Sequence, residues 1–96
     1  MIAPELNSKE MKELFKAIAA LRNVDECKKF FRDIATLSEL TAFSERFQVA
    51  KQVTKNVPYR EIAKKTGSST ATITRVAHWL HHGMGGYKLI LKRLKA

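Results

Sequence analysis

Ninety-six residues, one cysteine and a formal charge of +9 bound what this chain can be. A chain of this length fits one domain and buries about 60–70% of its unfolded surface, which allows only a modest core. The lone Cys27 makes no internal disulfide, no run approaches the ~18 apolar residues of a membrane span, and MIAPELNSKE has no basic segment followed by an apolar stretch, so a soluble, untargeted, cytoplasmic protein is expected.

The charge is unevenly placed. Residues 1–45 carry seven Lys or Arg against eight Asp or Glu, a net of −1, whereas residues 46–96 carry eleven against Glu61 alone, a net of +10. A basic half of that kind predicts a polyanionic partner, because each phosphate it neutralises releases counterions.

In chain order, the pattern predicts helices almost throughout. Asn7 with Glu10 resembles a capping box, and Met11, Leu14, Phe15, Ile18 and Leu21 continue it as an apolar stripe, giving a first helix over about 8–22. Asn23 with Glu26 repeats the cap, and Cys27, Phe30, Phe31 and Ile34 stripe a second helix. Thr36 with Glu39 opens a long third helix, about 37–55, with Leu40, Phe43, Phe47, Ala50 and Val53 on one side and Val49 beside them. Pro58 starts the fourth helix and Gly67 ends it. Gly83, Gly85 and Gly86 separate the fifth from a short sixth, about 87–95, that displays Tyr87, Ile90, Leu91 and Leu94. No segment alternates like a strand, so the fold class is all-α.

The segment 59–80, YREIAKKTGSSTATITRVAHWL, has the spacing of a helix-turn-helix. Ile62 and Ala63 face inward on its first helix, Ala63 being small where the helices cross. Gly67 suits a left-handed turn position, Ser68 or Ser69 can cap the next helix, and Ile73 with Val76 anchors that helix inward. In such a motif the second helix enters the major groove with its N-terminal residues toward base edges. Ser69, Thr70, Ala71, Thr72 and Arg75 are therefore the expected readers. Arg60, Lys64 and Lys65 suit phosphates better than bases, although each lysine singly could be an ordinary solvated charge.

The large apolar side chains Phe15, Phe30, Phe31, Phe43, Phe47, Trp79 and Tyr87 exceed what one small monomer comfortably buries, which points to a homodimer. The arrangement expected is a single helical DNA-binding domain over 1–96. Its dimerisation core is placed at 8–55 and 87–95, and its helix-turn-helix at 58–82.

This order of helices resembles the Trp repressor, the block ATITR at 71–75 being the sharpest local match. The STATITRV core and the FF run at 30 and 31 are most similar to the YerC/YecD family of Trp-repressor-related proteins. The resemblance runs from about Leu14 to Leu94 and is specific from Glu61 to Arg75. It implies a six-helix, intertwined homodimer that binds a palindromic double-stranded DNA operator as a transcriptional regulator, a repressor, in a bacterial cytoplasm. It also adds Thr74, with Thr72, as a contact position.

The same resemblance bears on an effector. Two arginines flank the indole in the Trp repressor; Arg75 matches one, and Arg46 matches the other if the turn near 56–58 is one residue shorter here. The glycine that follows the first arginine is Val76 here, and the serine four residues after it is Trp79. Both changes add bulk, so Val76 and Trp79 are expected to fill the pocket, tryptophan is not the expected ligand, and no corepressor is assigned.

Other chemistries are weaker. There is no glycine-rich phosphate loop, paired-carboxylate cleft or nucleophile beside a base, so an enzyme is not expected and no cofactor is assigned. His78, His81 and His82 share helical spacing, but structural zinc usually takes four protein ligands. They read as polar residues of a helix end, and no metal is assigned. A helical protein-interaction or RNA-binding module remains the alternative use of the basic half, with few aromatics beyond Tyr59 and Trp79 to stack bases.

Overall fold

Side-chain caps open four of the helices in this all-α chain. A computed structural model describes residues 3–95, in which a 3-10 turn at Pro4–Asn7 is followed by six helices. They are α1 (Lys9–Ala19), α2 (Val24–Ile34), α3 (Leu37–Thr54), α4 (Tyr59–Thr66), α5 (Thr70–His82) and α6 (Gly86–Arg93). No strand occurs among the described residues. The chain divides into two compact units, Met1–Leu40 and Thr41–Ala96.

The start of α1 differs from expectation. Asn7 belongs to the 3-10 turn, which closes through the Ser8 amide donating to the Glu5 carbonyl at 3.2 Å. Ser8 is instead the cap, its hydroxyl accepting from the Met11 amide at 3.1 Å. The helix also stops at Ala19 rather than near Arg22. The Arg22 amide donates to Glu26 Oε1 at 2.9 Å, which commits it to the entry of α2 and removes it from the α1 ladder. Asn23 caps α2 by accepting from the Glu26 amide, while Glu26 reaches Arg22 instead of closing a box on Asn23.

The box before α3 is reciprocal. The Glu39 amide donates to Thr36 Oγ1 at 3.1 Å, and the Thr36 amide donates to Glu39 Oε1 at 2.9 Å. At its far end α3 stops at Thr54, because Asn56 turns left-handed at φ 60° and the Val57 amide returns to the Gln52 carbonyl. The final helix ends at Arg93, two residues short of the expected Lys95.

In the unit Met1–Leu40 no described side chain is buried; Met11, Leu14 and Ile18 are half-buried and Phe15 is exposed. In the unit Thr41–Ala96 a core forms from Val49, Ala50 and Val53 of α3, Ile62 of α4, and Ile73, Val76, Ala77 and Leu80 of α5. Val57, Ala63, Tyr87 and Leu91 pack against it. The expected apolar line on α3 therefore splits. Val49, Ala50 and Val53 enter the core, while Phe47 is half-buried and Phe43 is 50% exposed. Phe43 shares its azimuth with Ala50, seven residues on, but stands two turns nearer the start of α3 than that enclosed residue.

Glu39 supplies a pH test of this scaffold. Hydrogen bonds from the Thr36 amide, and then from the Thr36 hydroxyl, hold its carboxyl below the ordinary glutamate value of 4.5. A lowered folded value means that the stabilisation is present above 4.5 and is lost as pH falls through the lower folded value. Glu39→Gln should therefore melt below the parent at neutral pH. The gap should close progressively below pH 4.5 in a series of circular-dichroism melts.

Candidate nucleic-acid interface

The turn between α4 and α5 is built from short hydroxyl side chains around one glycine. Gly67 closes α4 at φ 74°, with its amide donating to the Ala63 carbonyl at 2.9 Å. Thr66 Oγ1 donates to the Ile62 carbonyl at 2.7 Å and accepts from the Ser68 amide at 3.2 Å, which ties the turn to the helix before it. Of the two candidate caps, Ser69 takes the role. Its hydroxyl accepts from the Thr72 amide and donates to Thr72 Oγ1, both at 3.1 Å. Ser68 is only 7% exposed, and its hydroxyl is buried without a hydrogen-bond partner.

Beyond the turn, α5 has two distinct sides. Ile73, Val76, Ala77 and Leu80 are buried, which is the i, i+3, i+4, i+7 stripe of a helix anchored on a core. Ser69, Thr70, Ala71, Thr74 and Arg75 are exposed, and Thr72 is half-buried beside the Ser69 cap. Arg60, Lys64 and Lys65 of α4 are also exposed. Among the described residues the only ion pair joins Lys29 to Asp25, so none of these cations is neutralised by a carboxylate partner.

Three of the four residues expected at an effector pocket come together. Arg46 of α3 with Arg75 and Val76 of α5 lines a cleft of about 140 Å³, whose remaining walls are Ala42, Glu45 and Thr72. Val76 is buried there. Trp79 is not among the lining residues. Its indole is 55% exposed and meets His78 edge-on, with ring centres 5.3 Å apart. Glu45 was not anticipated, although the helical spacing of 42, 45, 46 and 49 was the available signal.

A larger feature also escaped sequence reasoning. Between α3 and α6 runs a groove of about 690 Å³ with Phe47, Leu91 and Leu94 among its walls. Lys51 of α3 and Lys55 just beyond its end flank it on one side, and Lys88, Lys92 and Lys95 of the α6 segment on the other. The 51/55 and 88/92/95 spacings were visible as charge at helical period. That both sets meet at one groove required the α3–α6 arrangement. No group of three or more His, Cys, Asp or Glu among the described residues is placed to hold a metal ion.

Known proteins share this arrangement over nearly the whole chain. The family model described as Trp repressor protein matches residues 9–95. An uncharacterized protein of Bacillus subtilis (strain 168), YerC, is 37% identical over 91 residues, spanning 95% of this chain and 88% of its own. A TrpR-like protein from Eubacterium eligens ATCC 27750 superposes with a TM-score of 0.92 at 41% identity, covering 96% of this chain and 95% of that one. A Staphylococcus aureus structure gives 0.91 at 40% identity, covering 98% and 94%. The chain belongs to the Trp repressor family, and its fold is the all-α, Trp-repressor-like one.

The turn makes two opposite predictions at adjacent residues. Ser68→Ala removes a buried hydroxyl that has no partner, so it should stabilise the fold by up to about 1 kcal/mol and raise the melting temperature. Gly67→Ala places a side chain at φ 74° with open space around it, so only the backbone conformation is penalised, and it should lower stability by about 1 kcal/mol. Thermal melts of the two variants beside the parent check both signs.

Proposed function

We propose that this protein is a sequence-specific double-stranded DNA-binding transcriptional regulator, acting as a repressor from a homodimer on a palindromic operator in the bacterial cytoplasm. The observation that carries the reading is the two-sidedness of α5. Its apolar side is locked into the core, while its capped N-terminal turns present Ser69, Thr70, Ala71, Thr74 and Arg75 to solvent. A helix anchored that way holds its outer residues at a fixed height and angle, as major-groove readout requires. Half-buried Thr72 has its hydroxyl oriented by Ser69, so its contact with a base edge or bridging water is set before DNA arrives.

Around these readers, Arg60, Lys64 and Lys65 supply phosphate contacts that fix register without reading sequence. Dimerisation is supported by the exposed apolar side chains Phe15, Ile34, Leu37, Phe43 and Leu94, which are costly to leave in water on so small a chain. No described helix is long and apolar enough to cross a membrane. The proposed action is binding, with no catalytic step.

Control by tryptophan does not fit the cleft at Arg46 and Arg75. At about 140 Å³ it is well below the roughly 300 Å³ at the small end of ligand sites. Buried Val76 takes space within it, and the Glu45 carboxylate beside the two arginines opposes the carboxylate of an incoming amino acid. Tryptophan is therefore not the proposed ligand of this cleft, and no corepressor is assigned.

Sites selected from random duplex DNA provide the substrate for the test. At constant salt, Thr72→Ala should narrow the preference for the selected duplex over a scrambled one by about 1–3 kcal/mol, whereas Lys65→Ala weakens both alike. Equal binding of selected and scrambled duplex by the parent protein, or tighter binding of RNA, overturns the proposal. Sedimentation should give twice the chain mass. L-tryptophan should leave both the melting temperature and operator affinity unchanged, and a saturable rise in either reverses the corepressor reading.

A further inference from the structure

The last turns of α5 carry three exposed histidines that the DNA reading does not use, and two of them are paired. His78 and His82 stand at i and i+4, with ring centres 5.1 Å apart and planes tilted by 43°. His81 is set apart, its ring centre 6.5 Å from that of His82.

That separation has a chemical meaning. An ion held ~2.0–2.1 Å from a ring nitrogen sits roughly 3.2 Å from the ring centre, so two imidazoles sharing one ion at octahedral or tetrahedral angles have centres roughly 4.5–5.2 Å apart. The observed 5.1 Å falls in that range with both rings already on one helix face. The carbonyl end of α5 also favours a cation. Gly83, which ends the helix, donates its amide to the Trp79 carbonyl at 2.9 Å, so the backbone between the two rings is held in helical geometry.

We propose that His78 and His82 form an exchangeable two-imidazole chelate for a divalent transition-metal ion, with water completing the coordination. This differs from the four-ligand structural zinc that the sequence argues against. Imidazole donors suit Cu(II), Ni(II) and Zn(II), and the general order of affinities places Cu(II) first. The ion adds two positive charges to the C-terminal end of α5 and clamps its last turn. The site is tested without nucleic acid, so its failure and that of the proposed DNA binding are read separately.

Trp79 is the only tryptophan of the chain and lies against His78, which makes it the reporter. Cys27 is exposed and would itself take up copper, so the titrations use a Cys27→Ser background. Copper(II) chloride in neutral buffer should quench Trp79 fluorescence saturably, with reversal by EDTA. His82→Asn should raise the half-quenching concentration by roughly tenfold or more, and His81→Asn should change it by less than about twofold. A second readout uses nickel(II) chloride, which should raise the melting temperature of the parent and of His81→Asn, each against its own metal-free value, and leave that of His82→Asn unmoved. Quenching that does not saturate, or an equal midpoint in His82→Asn, overturns the chelate. A nickel shift that survives in both His78→Gln and His82→Asn does so as well.

Discussion

The burial of one side of α5 against α3 and α4 is the interaction on which the rest of the candidate interface depends. Neither α4, with eight residues, nor α5, with thirteen, is long enough to be stable alone in water. Both are held by a core of eight buried side chains, in which Ile62, Ile73 and Val49 are fully enclosed. Each such side chain contributes about 1.5–3 kcal/mol, against a net domain stability of only about 5–15 kcal/mol. The same contacts that hold the helices therefore also fix which residues of α5 face solvent. Stability and the presentation of Thr70, Ala71, Thr74 and Arg75 are one property.

Local chemistry then decides how the helices meet. Gly67 takes the left-handed conformation that lets α5 leave α4 at an angle, and Thr66 locks the turn by bonding both the Ile62 carbonyl and the Ser68 amide. Two consecutive serines have different fates there. Ser69 spends its hydroxyl on capping and on orienting Thr72, while Ser68 is enclosed with its hydroxyl unpaired. A buried donor of that kind is a standing cost, tolerated because the rest of the turn is satisfied.

Capping residues were the most legible part of the fold, since a hydroxyl or amide three residues before an acid acts over a single turn. The Thr36–Glu39 box, the Asn23 cap and the Gly67 stop all follow from that short range. The entry to α1 misled because Asn7 and Ser8 are adjacent and both can cap; the 3-10 turn begun at Pro4 claimed Asn7. On α3 Phe43 shares the azimuth of Ala50, so periodicity could not tell that Val49, Ala50 and Val53 are enclosed while Phe43, two turns earlier, stays half in water.

At the candidate site, the exposed character of Arg60, Lys64, Lys65 and the start of α5 was readable because it follows from helix phase once Ile62, Ile73 and Val76 are anchored. The Arg46–Arg75 cleft was reachable only through resemblance, since nothing local links residues 29 positions apart. Trp79, read through the same resemblance as a pocket filler, lies beside His78, while Glu45 is among the walls of the cleft. The sequence by itself determined the helices, their caps, the glycine turn and the basic half, because each depends on interactions within a few residues or on composition. Only the tertiary structure decided which face of α3 is enclosed, that Glu45 joins the two arginines, and that five lysines meet at one groove. Those outcomes depend on how whole helices pack, and a helix's phase against its neighbours is set by their side chains together rather than by its own pattern.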